Sequence, residues 1–174
     1  ILFASLAKGT SVIHRYLRSM DTEAMIHACQ LLGAKIHIFP ERLDIEGVDG
    51  KVQALDDVIH AGNSGIILRF LSAIGALSKS PVIITGDYSI RHQRPMKTLG
   101  SALSQLGVSV ISLRGDGYAP LIIQGPLKPG RAAISGEDSQ PVSALLIASC
   151  FADGPIEIDV TNPGKKQKVA LTLS

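Results

Sequence analysis

AGNSGIILRFLSAIGALSKSPVIITGD, residues 61–87, holds the pattern that organises the whole chain. Gly62, Asn63, Ser64 and Gly65 form a polar elbow. A run of apolar residues follows, interrupted by one arginine, Arg69. Then comes a short polar turn and a β-branched run ending near Gly86. The apolar run reads as a helix that is greasy on nearly all faces: Ile66, Ile67, Leu68, Phe70, Leu71, Ile74 and Leu77. Such a helix is buried on all sides. The elbow has two readings. One is an ordinary capped start with Asn63 or Ser64 as the cap. The other is an anion site, with backbone N–H groups free at the positive end of a helix dipole.

The same pattern occurs three times. ILFASLAKGTSVIHRYL (1–17), RFLSAIGALSKSPVIITGD (69–87) and SALLIASCFADGPIEIDV (143–160) each give an apolar helix, a polar turn and a β-rich run. The first two units continue alike. DTEAMIHACQLLGAKIHIF (21–39) and RPMKTLGSALSQLGVSVIS (94–112) each give a helix ending in Leu-Gly and then a strand. LDIEGV (43–48) and PLIIQG (120–125) each add one more strand. The second helices are one-sided, with Met25, Ala28, Cys29 and Leu32 on one stripe and Met96, Leu99, Leu103 and Leu106 on the other. The period is about 70 to 75 residues, an internal duplication rather than a solenoid repeat. The expectation is therefore one α/β (α+β) domain over residues 1–174, with repeats at approximately 1–50, 51–125 and 126–174. Three buried helices, among them Val142, Leu145, Leu146, Ile147, Cys150 and Phe151 of the third, would be wrapped pseudo-threefold by sheets and amphipathic helices.

Composition narrows the function. A net charge of +2 and no Trp leave no basic, aromatic-studded face for nucleic acid. No apolar stretch is long enough and free enough of charge to span a membrane. Cys29 and Cys150 read as reduced core residues of a cytoplasmic protein. The chain begins and ends within apolar patterns, so it is expected to be part of a longer protein.

Candidate chemistry lies at three places. Before the second central helix is the 62–65 elbow. In TGDYSIRHQRPMKTLG (85–100), a loop carries Arg91, His92 and Arg94, and Pro95 is expected to start a helix. Arginine offers a bidentate fork to phosphate or carboxylate. In SGEDSQPVSALL (135–146), Asp138, Ser139 and Gln140 stand at the mouth of the third central helix, with Asp138 or Ser139 as its cap. No Ser-His-Asp triad and no metal-spaced His pair is legible, and His27, His37 and His60 receive structural roles. In the repeat frame, Asn63 and Asp138 are equivalent. Parallel central helices would gather their N-termini at one end, beside Arg94, as an anion surface.

These three segments together resemble the 5-enolpyruvylshikimate-3-phosphate synthase family. GNSGIILRFL is similar to its GNAGTxxR segment, RHQRPM to its (K/R)xRPM segment and DSQPVSALL to its SSQxxSALL segment, in the same order and spacing across the chain. The resemblance implies one half of a two-domain enolpyruvyl transferase fold, each domain built from three βαβαββ units. It implies transfer of the enolpyruvyl group of phosphoenolpyruvate to the 5-hydroxyl of shikimate 3-phosphate, with no metal and no organic cofactor. By the same resemblance Gly65 and Arg94 meet phosphoenolpyruvate, Ser139 and Gln140 hold shikimate 3-phosphate, and Asn63 and Arg69 support the cleft. The partners implied are small phosphorylated substrates and a C-terminal domain that completes the cleft. This chain alone is then expected to show no turnover.

Three departures stand out. Asp138 occupies the place of a substrate-binding serine. Ile66 replaces a threonine bordering the phosphoenolpyruvate pocket, which implies weak binding of the inhibitor glyphosate. Lys165 and Lys168, in GKKQK, stand where a serine and an aromatic contact shikimate 3-phosphate in the family. A UDP-sugar enolpyruvyl transferase, or a non-catalytic anion-binding module on the same fold, are the alternative readings.

Overall fold

The computed structural model describes residues 1–53, 56–164 and 166–173, with the backbone alone at 166–168. Along the chain run α1 (Leu2–Leu6), β1 (Thr10–His14), α2 (Met20–Leu31), β2 (Lys35–Ile38), β3 (Arg42–Glu46) and β4 (Ile59–His60). There follow α3 (Gly65–Gly75), β5 (Val82–Thr85), α4 (Tyr88–Gln93), α5 (Lys97–Gln105), β6 (Ser109–Ser112) and β7 (Leu121–Gln124). Last come β8 (Gly130–Ser135), α6 (Ser139–Ser149), β9 (Ile156–Thr161) and α7 (Lys166–Leu173).

The strands form three sheets of one design. The middle sheet has the order β4-β5-β7-β6. Its β4–β5 pair is parallel and the other two pairs are antiparallel. The first sheet, β1-β3-β2, repeats the antiparallel part, and the third, β8-β9, repeats the parallel pair. Alternation decides which face packs inward. Leu43 and Ile45 of β3, and Leu121 and Ile123 of β7, point to the core; Arg42, Glu46 and Gln124 point to water.

Between the sheets lie the central helices. In α3, Leu68, Leu71 and Ile74 have no exposed surface, each burial contributing about 2 kcal/mol. α3 packs along α6, whose Val142, Ala144 and Leu145 are equally enclosed. The amphipathic α5 covers this layer from outside through Leu99, Ala102 and Leu103. Two glycines seat the sheets on the helix ends. A Cβ at Gly47, after β3, would overlap the Ala7 carbonyl oxygen, and one at Gly125, after β7, the Ala76 carbonyl oxygen. The amides beyond them donate in matching fashion, Val48 N–H to Ser5 O at 2.9 Å and Leu127 N–H to Ala76 O at 2.8 Å. Gly125→Ala is expected to cost about 2 kcal/mol, as overpacking does, read as a lower denaturant midpoint at unchanged m-value.

Four expectations are corrected. Arg91 and His92 lie on the short helix α4, and α5 begins at Lys97 rather than Pro95. Asp87 makes α4 possible by accepting the Ile90 N–H at 3.0 Å; six residues are too few to show a helical period. α3 is not buried all round, since Ile66 is 45% exposed and Phe70 half-buried. Cys150 is exposed, because α6 stops at Ser149 and Cys150 is its C-cap. Cys29 is buried, and burial pushes its thiol pKa up. Finally, neither Asn63 nor Ser64 caps α3 through its side chain, although Ser64 holds the N-cap position. No helix among the described residues is long and apolar enough to cross a membrane.

Candidate functional site

The elbow is knitted almost entirely by backbone. Ala61 N–H donates to Thr85 O at 2.8 Å, and Ser64 N–H to Ala61 O at 2.9 Å. Gly62, at φ +58°, gives its carbonyl to the Asp87 N–H at 2.9 Å. A side-chain acceptor joins in: His60 Nδ1 accepts the Gly62 N–H at 3.1 Å. The elbow therefore ends β4, starts α3 and holds the residue that caps α4. Arg94 is the C-cap of α4. The sequence gives His60 a structural role without saying which; a side-chain acceptor two residues before a glycine amide is the available signal.

α3 and α6 meet at their N-terminal turns, and Arg69 joins them. Its guanidinium lies behind the turn, in a residue only 7% exposed. Nη1 donates to Gly65 O at 3.2 Å and to Gln140 Oε1 at 2.9 Å. Nη2 lies 3.5 Å from Asp138 Oδ2. Nε is buried without a partner among the described residues. Burial pushes the Arg69 pKa down, Asp138 pushes it up, and Arg94 pushes it down again. Gly65 is where these groups converge. A Cβ built there would stand 2.8 Å from Arg69 Nη1, 3.4 Å from Gln140 Oε1 and 3.7 Å from Arg94 Cδ.

The structure thus brings together Gly65, Arg69, Arg94, Asp138 and Gln140, which come from three separate stretches of chain. Ser139, first residue of α6, is 5% exposed beside them. Asn63 is exposed on the elbow and its side chain makes no hydrogen bond among the described residues. Lys165 lies outside the described residues, as does the Lys168 side chain.

The two helix ends differ. α6 is capped by its own carboxylate, with Asp138 Oδ1 accepting the Gln140 N–H at 3.2 Å. Asp138 therefore turns toward its helix and Arg69, while remaining about half exposed. α3 has no such cap, and the Arg94 side chain beside it is exposed with no hydrogen-bond or ion-pair partner among the described residues. Two aligned helix dipoles, two guanidiniums and one carboxylate leave this end net positive. A separate cavity of about 610 Å³ lies around the other ends of α3 and α6, lined by Leu77, Lys79, Cys150 and Phe151 among others. It shares no residue with the group around Gly65, which is an open surface.

Known proteins share this fold. The family model for EPSP synthase (3-phosphoshikimate 1-carboxyvinyltransferase) matches residues 1–174. The 3-phosphoshikimate 1-carboxyvinyltransferase of Chlamydia muridarum is 43% identical over 174 residues, 99% of this chain and 39% of its own length. That of Methanococcoides burtonii is 50% identical over 149 residues, 85% of this chain and 34% of its own length. The solved EPSP synthase of Acinetobacter baumannii superposes with a TM-score of 0.83 at 27% identity, covering 97% of this chain and 38% of that one. This chain spans about 39% of the length of the Chlamydia relative. A family match over every residue shows that the chain belongs to the EPSP synthase (3-phosphoshikimate 1-carboxyvinyltransferase) family.

Proposed function

We propose that this chain forms one wall of the substrate cleft of a cytoplasmic enolpyruvyl transferase acting on phosphoenolpyruvate and shikimate 3-phosphate. The reaction joins the 5-hydroxyl oxygen of shikimate 3-phosphate to C2 of phosphoenolpyruvate and releases phosphate. The observation that carries this reading is the Arg94 side chain, exposed over Gly65 with no partner among the described residues, at a helix end that no described side chain caps. Both substrates are multiply anionic, and such a surface offers them charge and preorganised N–H donors at no reorganisation cost. Gly65 and Arg94 serve phosphoenolpyruvate, the first by close backbone approach, the second by its guanidinium. Ser139 and Gln140 serve shikimate 3-phosphate, with Lys165 assigned to the same substrate. Arg69 works from behind, orienting Gln140, and Asn63 shapes the elbow. A C-terminal domain supplies the opposite wall and the remaining charged groups.

Asp138 has a specific consequence in this reading. It neutralises Arg69, and it is a fixed anion competing with a substrate phosphate for the end of α6. Asp138→Ser keeps a capping oxygen and removes the counter-charge. The expected result is a lower Tm without ligand and a larger Tm gain with shikimate 3-phosphate than the unmodified chain shows. An equal gain in both proteins would detach Asp138 from phosphate binding.

The direct test is phosphorus NMR of this chain with shikimate 3-phosphate and phosphoenolpyruvate. Broadened or shifted substrate lines without a growing phosphate line are expected, because half a cleft binds without turning over. Lines unaffected by the protein at millimolar substrate would sink the reading for this chain.

A further inference from the structure

We propose that His60 is a positioning residue for anion binding at the α3 end, active only as neutral imidazole. This rests on the anion-binding reading of the Gly65–Arg94 surface.

Among the described residues the elbow's bonds to side chains are two, the Arg69 Nη1 donation to Gly65 O and the Gly62 N–H to His60 Nδ1, and only the second has a side-chain acceptor. That bond requires a lone pair on Nδ1, which only the neutral ring with its proton on Nε2 supplies. Protonation turns Nδ1 into a donor facing another donor, and the bond is lost. Gly62 is where the loss matters. Its φ of +58° is a conformation that glycine adopts without penalty but does not prefer, so the turn depends on its hydrogen bonds. The Gly62 carbonyl holds the amide of Asp87, whose carboxylate caps α4, and Arg94 closes α4 at its other end. A single titratable bond therefore underlies both the path into the uncapped α3 turn and the seat of the anion-binding arginine.

Two opposing effects follow from protonation, and the geometry ranks them. An imidazolium adds positive charge, which attracts an anion. Yet His60 is exposed to water, where an added charge is weakly felt. The loosened elbow acts directly on the groups that touch the ligand. The titratable groups on the elements packed against β4 are Asp21, Glu23, His27 and Cys29 on α2, with Asp87 just beyond β5 and Arg94 just beyond α4. None of them is hydrogen-bonded or ion-paired to the His60 ring. Affinity should therefore fall as the imidazole gains its proton.

The experiment compares the chain with His60→Asn and His60→Ala across about pH 5 to pH 8, where histidine titrates. Asparagine can accept the same amide through Oδ1 at every pH, as in an Asx turn. Without ligand, the Gly62 amide resonance is expected to follow the His60 ring titration in the original chain and to stay flat in His60→Asn. With phosphoenolpyruvate as probe, the ratio of the original to the His60→Asn affinity cancels the ligand's own protonation. That ratio is expected to fall about fivefold from the neutral to the protonated side, the weight of one hydrogen bond. His60→Ala should show the weakened binding at every pH.

A Gly62 amide indifferent to the ring titration would overturn the proposal while leaving the anion-binding reading intact. So would an affinity ratio that rises on acidification, which would make His60⁺ a ligand for the anion. No binding by any of the three proteins at any pH, with the amide still tracking the ring, would instead overturn the anion-binding reading on which the proposal stands.

Discussion

Arg69→Ala is expected to destabilise the chain by about 3 kcal/mol, measured by urea denaturation. Arg69 is the tie between α3 and α6, and three things are lost together. The Nη1 bonds to Gly65 O and Gln140 Oε1 disappear, leaving the half-buried Gln140 amide oxygen short of a partner. The Asp138 carboxylate loses its counter-charge. A side chain that fills the space behind the turn is removed. Breaking a fully buried ion pair costs about 3–5 kcal/mol. The lower end applies here, because Asp138 is half exposed and water screens it. Arg69→Lys should recover little: an ammonium cannot span Gly65, Gln140 and Asp138 as a planar fork does. A loss below about 1 kcal/mol would mean that α3 and α6 hold their N-terminal register through apolar contact alone.

Arg94→Ala is expected to behave in the opposite way. Its side chain is exposed and pairs with nothing among the described residues, so thermal stability should stay within about 0.5 kcal/mol of the original. Phosphoenolpyruvate affinity should fall about a hundredfold, as when one partner of a hydrogen-bonded charge pair is removed. Isothermal titration calorimetry at low and high salt separates the causes. Loss of a direct pair persists at high salt, whereas loss of a diffuse field is screened away. An unchanged affinity would remove Arg94 from the site and leave the helix ends as the anion's hosts. Together the two substitutions divide the cluster: Arg69 reads out in folding, Arg94 in binding.

Three of the segments that form the site were legible before any coordinate. The 62–65 elbow, the RHQRP stretch and the DSQ stretch each announce a polar end before a buried or amphipathic helix, and they stand near Gly65 in the fold. What the residues did not disclose is how they divide the labour. Asp138 read from the sequence is a charge where a phosphate should sit. In three dimensions it faces Arg69 and its own helix amide, so its charge is largely answered internally. Cys150 shows the same limit. Apolar neighbours along the chain placed it in the core, but the C-cap turn after Ser149 puts it outside. The helix α4 was missed because a single turn and a half carries no period, only a cap at Asp87.

The amino-acid sequence by itself determined the alternation of helices and strands, because helical and strand periodicities are local. It also determined the arginines and polar turns available for chemistry. Only the tertiary structure decided that Arg69 is a buried tie, whereas the exposed Arg94 side chain has no partner among the described residues. The two stand on different elements, and the Arg69 guanidinium finds its partners in Gln140 and Asp138, distant in the chain. It likewise decided that His60, a lone histidine at a strand end, holds the turn ahead of α3. That role depends on the direction of one ring nitrogen, which no spacing of residues encodes.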